Sequence, residues 1–156
     1  MIDENVIMRR AIRWCADQSQ HTVESLWMMP SEVKSKFQDW AIDISTDMKY
    51  NQIKYFRPFN HQLNFFKTGS SPRRGILAAN RIGKTVSTCF ETAYHLTGRY
   101  PDWWPKEAKR YSHPITAFVA GEGWEQVARV LQDELIGTKD IKIKDSIGTG
   151  AIPKDC

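Results

Sequence analysis

Ala78-Ala79-Asn80-Arg81-Ile82-Gly83-Lys84-Thr85 is the stretch on which the reading of this chain turns. A brief apolar run, Gly75-Ile76-Leu77-Ala78-Ala79, leads into it, and the turn signals Thr68-Gly69-Ser70-Ser71-Pro72 precede that run. So short a run after turn signals suits a strand buried on both faces. Beyond Thr85, the residues Val86, Cys89, Phe90, Ala93 and Leu96 share one helical face, and Gly98 supplies the C-terminal stop. Strand, tight loop and helix are therefore expected in succession.

Working outward, Ile115-Thr116-Ala117-Phe118-Val119-Ala120 is a second strand candidate. Gly121-Glu122-Gly123 reads as a turn, and Trp124, Val127, Ala128, Leu131 and Leu135 mark another amphipathic helix that stops at Gly137. The order strand, helix, strand, helix implies a parallel sheet flanked by helices. Between them, Gly98 to Pro105, with two prolines and Trp103-Trp104, reads as a surface loop. The tail, Ile141 to Cys156, holds Gly148, Gly150 and Pro153 and reads as an end without a closing element.

Upstream the texture is helical. Ile7, Met8, Ala11, Ile12 and Cys15 follow the rhythm of one buried face. A short piece at 23–29 ends at Pro30. Val33, Phe37, Trp40, Ala41 and Ile44 form a second stripe, with Ser31 as its N-cap. From Tyr55 the chain changes: Phe56-Arg57-Pro58-Phe59 is an extended entry, and Asn60 can cap a short helix through Phe66. The expected division is 1–54, an N-terminal helical segment, and 55–156. The expected fold class is α/β: a P-loop NTPase-type parallel sheet flanked by helices, incomplete, preceded by that helical segment.

Composition narrows the function only weakly. The 156 residues are 41% hydrophobic and 26% charged, which is ordinary for a globular chain. A net charge of +4 permits contact with nucleic acid without demanding it. The cysteines Cys15, Cys89 and Cys156 are odd in number and fit no zinc spacing, so reduced thiols are the simple reading. No apolar run approaches the length of a membrane span, and the acidic start, Met1-Ile2-Asp3-Glu4, is unlike a signal peptide. The six tryptophans fit core, interface or base stacking alike.

The chemistry lies in the quoted loop. Gly83, Lys84 and Thr85 match the end of the pattern G-x-x-x-x-G-K-[ST], and Ala78 stands at its first glycine. Polyphosphate needs several donors converging on it, which backbone N–H groups of Ala79, Asn80, Arg81 and Ile82 and the positive end of the next helix supply. Gly83 lets the backbone approach with no Cβ in the way. Lys84 brings a mobile charge to the β and γ phosphates, and Thr85 offers a hydroxyl to Mg²⁺. ATP with Mg²⁺ is thus the expected ligand, with Lys84 and Arg81 as candidate catalytic residues. Arg81 reads equally as a second cation near the γ-phosphate or as a solvated side chain. Gln62 reads either as an adenine contact through its amide or as a helix-surface residue. His61 reads as a packed or capping histidine, and Glu122 as a helix N-cap, each in preference to catalytic duty.

The run Tyr55-Phe56-Arg57-Pro58-Phe59-Asn60-His61-Gln62-Leu63-Asn64-Phe65-Phe66, the loop itself, Leu96-Thr97-Gly98-Arg99-Tyr100-Pro101-Asp102-Trp103-Trp104 and Gly148-Thr149-Gly150-Ala151-Ile152-Pro153-Lys154-Asp155 together resemble the large terminase subunit of tailed bacteriophages. The resemblance implies an N-terminal ATPase that drives double-stranded DNA into a capsid, with Lys84 and Thr85 on phosphate and Mg²⁺, Gln62 near adenine and Arg81 near the phosphates. It implies the portal protein and the small terminase subunit as partners, a homo-oligomer on the portal, and a place in the host cytoplasm without a membrane. The family's acidic hydrolysis motif and nuclease domain have no counterpart before Cys156, so the chain reads as a fragment that binds ATP with little or no hydrolysis. A helicase-like P-loop ATPase, which shares the upstream glutamine, and a non-enzymatic docking module remain the alternatives.

Overall fold

Apolar residues spaced three or four apart turn into helices here, and the local patterns decide where. The computed structural model describes residues 4–19, 25, 28–137 and 146–156, which divide into two compact units, Met1–Tyr50 and Asn51–Cys156.

The first unit is a pair of helices, α1 (Glu4–Gln18) and α2 (Ser31–Tyr50). Ile7, Ala11, Cys15 and Ala16 of α1 and Ala41 of α2 are buried. These small side chains let two helices approach closely, and aromatic edges close the seam. Trp14 meets Trp40 edge-on with centroids 6.0 Å apart, and Phe37 meets Trp40 in the same way at 6.0 Å. Such pairs contribute ~0.5–1.5 kcal/mol beyond the area they bury. Ser31 is the first helical residue rather than the cap: the Pro30 carbonyl accepts from Val33 and Lys34. Val33, expected on the buried stripe, is exposed. The short piece expected at 23–29 lies largely outside the described residues.

The second unit begins with α3 (Gln52–Tyr55) and α4 (Asn60–Lys67). Its longest helix is α5 (Lys84–Thr97). A broken helix follows: α6 (Trp124–Gln126) runs into a π-helical turn, Val127–Leu131, and then α7 (Gln132–Ile136). Helix α5 ends where Gly98 predicts: that glycine has φ 69°, and its N–H donates to the Tyr94 carbonyl at 2.9 Å. Ile53, Phe66, Phe90, Ala93, Tyr94, Trp104, Ala108 and Ala151 form the core. Phe56 lies flat on Phe90, centroids 4.0 Å apart, and the Tyr94 hydroxyl donates to the Ile53 carbonyl at 3.0 Å. Both contacts pin α3 and the segment after it to α5.

The expected parallel sheet is not there. Among the described residues no strand forms, and the one isolated bridge joins Thr149 to Pro153. The run at 76–79 and the run at 115–120 carry no helix or strand hydrogen bonding, and Leu77 and Phe118 are fully in solvent. The physical reason is that a strand's backbone groups are satisfied by a neighbour and not by the segment itself. Two apolar runs set far apart on the chain supply the composition of strands without pairing.

Three further expectations give way. The proline-flanked stretch from Gly98 to Pro105 is not a surface loop throughout, because Trp104 is 2% exposed and sits at the centre of the core. The tail at 146–156 does close on the unit: Gly148, Ala151 and Ile152 donate to the carbonyls of Ile136, Glu134 and Leu135 at 2.7–2.8 Å. Asp155 also grips Arg99 through two bonds of 2.9 Å. Glu122 is not the cap of the late helix either. Gly123 takes that position, and Glu122 is exposed in a bend before it.

Candidate phosphate-binding loop

The loop from Ala78 to Thr85 leads straight into the first turn of α5. Arg81 has φ 64° and Gly83 φ 82°, so two left-handed residues coil the backbone there. For arginine that conformation is uncommon and costs about 1 kcal/mol, since its Cβ crowds the following carbonyl. At Gly83 the conformation is free, and a Cβ would stand 2.6 Å from Gln62 Nε2. Lys84 folds back across the loop, and its Nζ donates to the carbonyls of Ala78 and Ala79, 2.7 Å each. Those are neutral acceptors, and an anionic phosphate oxygen accepts a charged N–H more strongly. Thr85 stands beside Lys84 on the wall of a cleft of about 270 Å³, which Phe65, Arg74, Ile76, Thr88 and Leu131 also line.

The remaining predicted residues fall around this loop. Asn80 and Arg81 are exposed at its tip, and Ile82 is half-buried. His61 and Gln62 rise from α4 beneath it. Gln62 is turned inward, with Oε1 accepting from the Phe59 N–H at 2.9 Å and Nε2 donating to the Gly83 carbonyl at 3.3 Å. His61 Nε2 meets the Ile82 carbonyl at 2.9 Å. Phe59 caps α4, so Asn60 is that helix's first residue and not its cap.

Sequence reasoning passed over Arg74 and Glu91. They form a two-pronged ion pair with bonds of 3.0 and 2.9 Å, and the Arg74 guanidinium lies over the Phe65 ring, 4.6 Å from its centroid. Glu91 is buried, which raises its carboxyl, while the bonds from Arg74 and its charge pull the other way. Nothing in the local pattern marks these two as partners, because they lie 17 residues apart. The pair fixes the chain just upstream of the loop onto α5.

Beside them His95 is held neutral. Burial, then the charges of Arg74 and Lys109, lowers its imidazole to about 4. The Tyr111 N–H donates to the Tyr100 hydroxyl, whose oxygen also bonds His95 Nδ1, both at 2.8 Å. His95 Nε2 faces Glu91 across 3.9 Å. Between about pH 6.5 and 4 the unfolded chain takes up a proton here that the folded chain refuses. Stability from this residue is therefore full above about 6.5 and is lost as pH falls toward 4, by about 2 kcal/mol at pH ~5. Glu91, with its raised carboxyl, titrates with the opposite sign. The difference between the native chain and His95→Gln isolates the histidine. In urea unfolding at several pH values, the variant is expected to lose less stability than the native chain between pH 7.5 and 5. Parallel profiles would exclude a neutral, buried imidazole.

The Lys84 ammonium and the Thr85 hydroxyl are donors that the cleft wall offers an anion. For Mg²⁺ the fit is narrower: Thr85 offers one hydroxyl, and no group of three or more His, Cys, Asp or Glu side chains gathers among the described residues. Such an ion would take most of its ligands from phosphate and water.

These features set a coiled loop with a left-handed Arg81 and Gly83 at the head of α5. Over 114 residues the chain is 33% identical to the terminase large subunit of Salmonella phage P22. The match covers 64% of this chain and 22% of that relative, so the chain spans about a fifth of the curated protein it resembles. It is thus terminase-related in sequence. No protein-family model matches it, and no solved structure does. Among the described residues, no helix is long and apolar enough to cross a membrane.

Proposed function

We propose that the loop from Ala78 to Thr85 binds the triphosphate of ATP, and that the chain serves as the nucleotide-holding part of a phage DNA-packaging motor. The observation that carries this is Lys84. Lys84 begins α5, and its ammonium turns back to the carbonyls of Ala78 and Ala79, 2.7 Å from each. In this reading Lys84 holds the β and γ phosphates. Gly83 and the loop N–H groups from Ala79 to Ile82 complete the cradle. Thr85 gives its hydroxyl to the phosphate-bound Mg²⁺, and the exposed Arg81 stands at the γ end, where it stabilises charge.

The likeness to a terminase large subunit supports the wider role. In this reading double-stranded DNA is the cargo, and the portal protein and the small terminase subunit are the partners in the host cytoplasm. Turnover needs an acid to hold the metal and activate water. Glu122 is exposed in its bend and is not among the residues lining the cleft beside Thr85. In this reading the chain holds ATP with little or no hydrolysis. Lys84→Ala is expected to weaken a fluorescent ATP analogue at least thirtyfold, the loss of a charge-assisted contact or two. Titration by fluorescence anisotropy reads it, and unchanged affinity would sink the proposal.

A further inference from the structure

Two consecutive residues of α4 hold two consecutive carbonyls of the loop. His61 Nε2 reaches the Ile82 carbonyl at 2.9 Å, and Gln62 Nε2 reaches the Gly83 carbonyl at 3.3 Å. A carbonyl accepts only, so His61 donates, as both the Nε2–H tautomer and the imidazolium do. The orientation of Gln62 is set by its other end. Its Oε1 accepts from the Phe59 N–H, and a flipped amide would oppose two donors. Gln62 is 4% exposed, so both its bonds are made out of water. The Gly83 carbonyl also takes the Ser87 N–H at 2.9 Å and the Ser87 hydroxyl at 2.8 Å, which makes it the anchor between loop and helix.

The consequence follows from peptide geometry. No peptide bond among the described residues is cis, and in a trans peptide the C=O and N–H point in opposite directions. Drawing the Ile82 carbonyl toward α4 turns the Gly83 N–H away from α4. Drawing the Gly83 carbonyl the same way turns the Lys84 N–H with it. Two side chains of one helix thus aim two donors at the head of another.

We infer that His61 and Gln62 are positioning residues that hold these donors ready for polyphosphate, and that neither reads the base. The inference rests on the phosphate-binding reading of the loop. The ligand class it names is the polyphosphate chain itself, whatever nucleoside is attached.

The test compares ATP, GTP and inorganic tripolyphosphate on the full 156-residue chain, by calorimetry or by displacement of a fluorescent analogue. His61→Leu and Gln62→Leu are each expected to weaken all three ligands by one common factor, about five- to tenfold, while circular dichroism shows both variants folded. His61→Gln, which can present an amide donor to the same carbonyl, is expected to recover most of the loss. A Gln62→Leu defect confined to ATP would overturn the inference and make that residue a base contact. Equal affinities for native and variant chains would overturn it too. Should the native chain bind no tripolyphosphate, the phosphate-binding reading fails on its own account. The clamp is then judged by ¹⁵N relaxation. Exchange broadening at Gly83 and Lys84 in both leucine variants supports it, and unchanged signals refute it.

Discussion

Replacing Trp104 by alanine is expected to remove about 3–5 kcal/mol of folding stability, a large share of the ~5–15 kcal/mol that a domain possesses. The indole is 2% exposed and touches rings on every side. Its centroid lies 5.2 Å from Tyr94, 5.3 Å from Tyr100, 5.4 Å from Phe66 and 5.6 Å from His95. Alanine would leave a cavity bounded by rigid rings that cannot collapse into it. One term works in the opposite direction. The Trp104 Nε1 is buried without a hydrogen-bond partner, so its removal returns about 1 kcal/mol of desolvation cost. The cavity term is several times larger and decides the sign. Trp104→Phe, which keeps a ring and drops the N–H, should therefore cost far less than Trp104→Ala. Urea unfolding followed by far-ultraviolet circular dichroism measures both. Equal costs for the two variants would show that ring packing does not dominate.

The second large effect is expected at Gly150. A Cβ there would lie 2.5–2.6 Å from the backbone of Leu135 and Ile136. Those atoms belong to α7 and cannot step aside as a side-chain tip can. Gly150→Val is therefore expected to break the bonds from Ala151 to Glu134 and from Ile152 to Leu135, each 2.8 Å long. It would also lift Ala151, 1% exposed, out of the core. The loss should reach about 3 kcal/mol, in the range of other buried overpacking and strain. Amide exchange separates two routes to that loss. Deprotection confined to Ala151 and Ile152 means that the tail detaches alone. Deprotection of α5 as well means that the tail supports the whole unit. Native-like exchange in Gly150→Val would refute the close approach.

The helices were legible because their hydrogen bonds are local. Past the first turn of α5 each N–H finds its acceptor four residues back, and the apolar spacing of Cys89, Phe90 and Ala93 sets the buried face. Gly98 ends α5 for an equally local reason, its left-handed φ. The loop was legible in the same way, since Gly83, Lys84 and Thr85 are neighbours on the chain and meet at one helix end. Local patterns did not reveal Arg74 with Glu91, His61 with Ile82, or Gln62 with Gly83. These partners come from separate segments, and each side chain taken alone has a solvated reading. Gln62 shows the difference sharply. The sequence offers this amide as an adenine contact or a helix-surface residue, and the structure buries it with both ends bonded to backbone, at Phe59 and Gly83.

The amino-acid order alone settled where α5 buries Cys89, Phe90 and Ala93 and where Gly98 ends it, because these depend on groups a few residues apart, whereas Val33, Leu96 and Trp124, expected on apolar faces, are exposed. Only the tertiary structure decided that the runs at 76–79 and 115–120 stay unpaired, that Trp104 is core and not surface, and that the glycine-rich tail closes on α7. Those outcomes depend on which distant segment arrives to satisfy a backbone group or cover a ring. An extended segment, unlike a helix, carries no internal partner that would announce its fate.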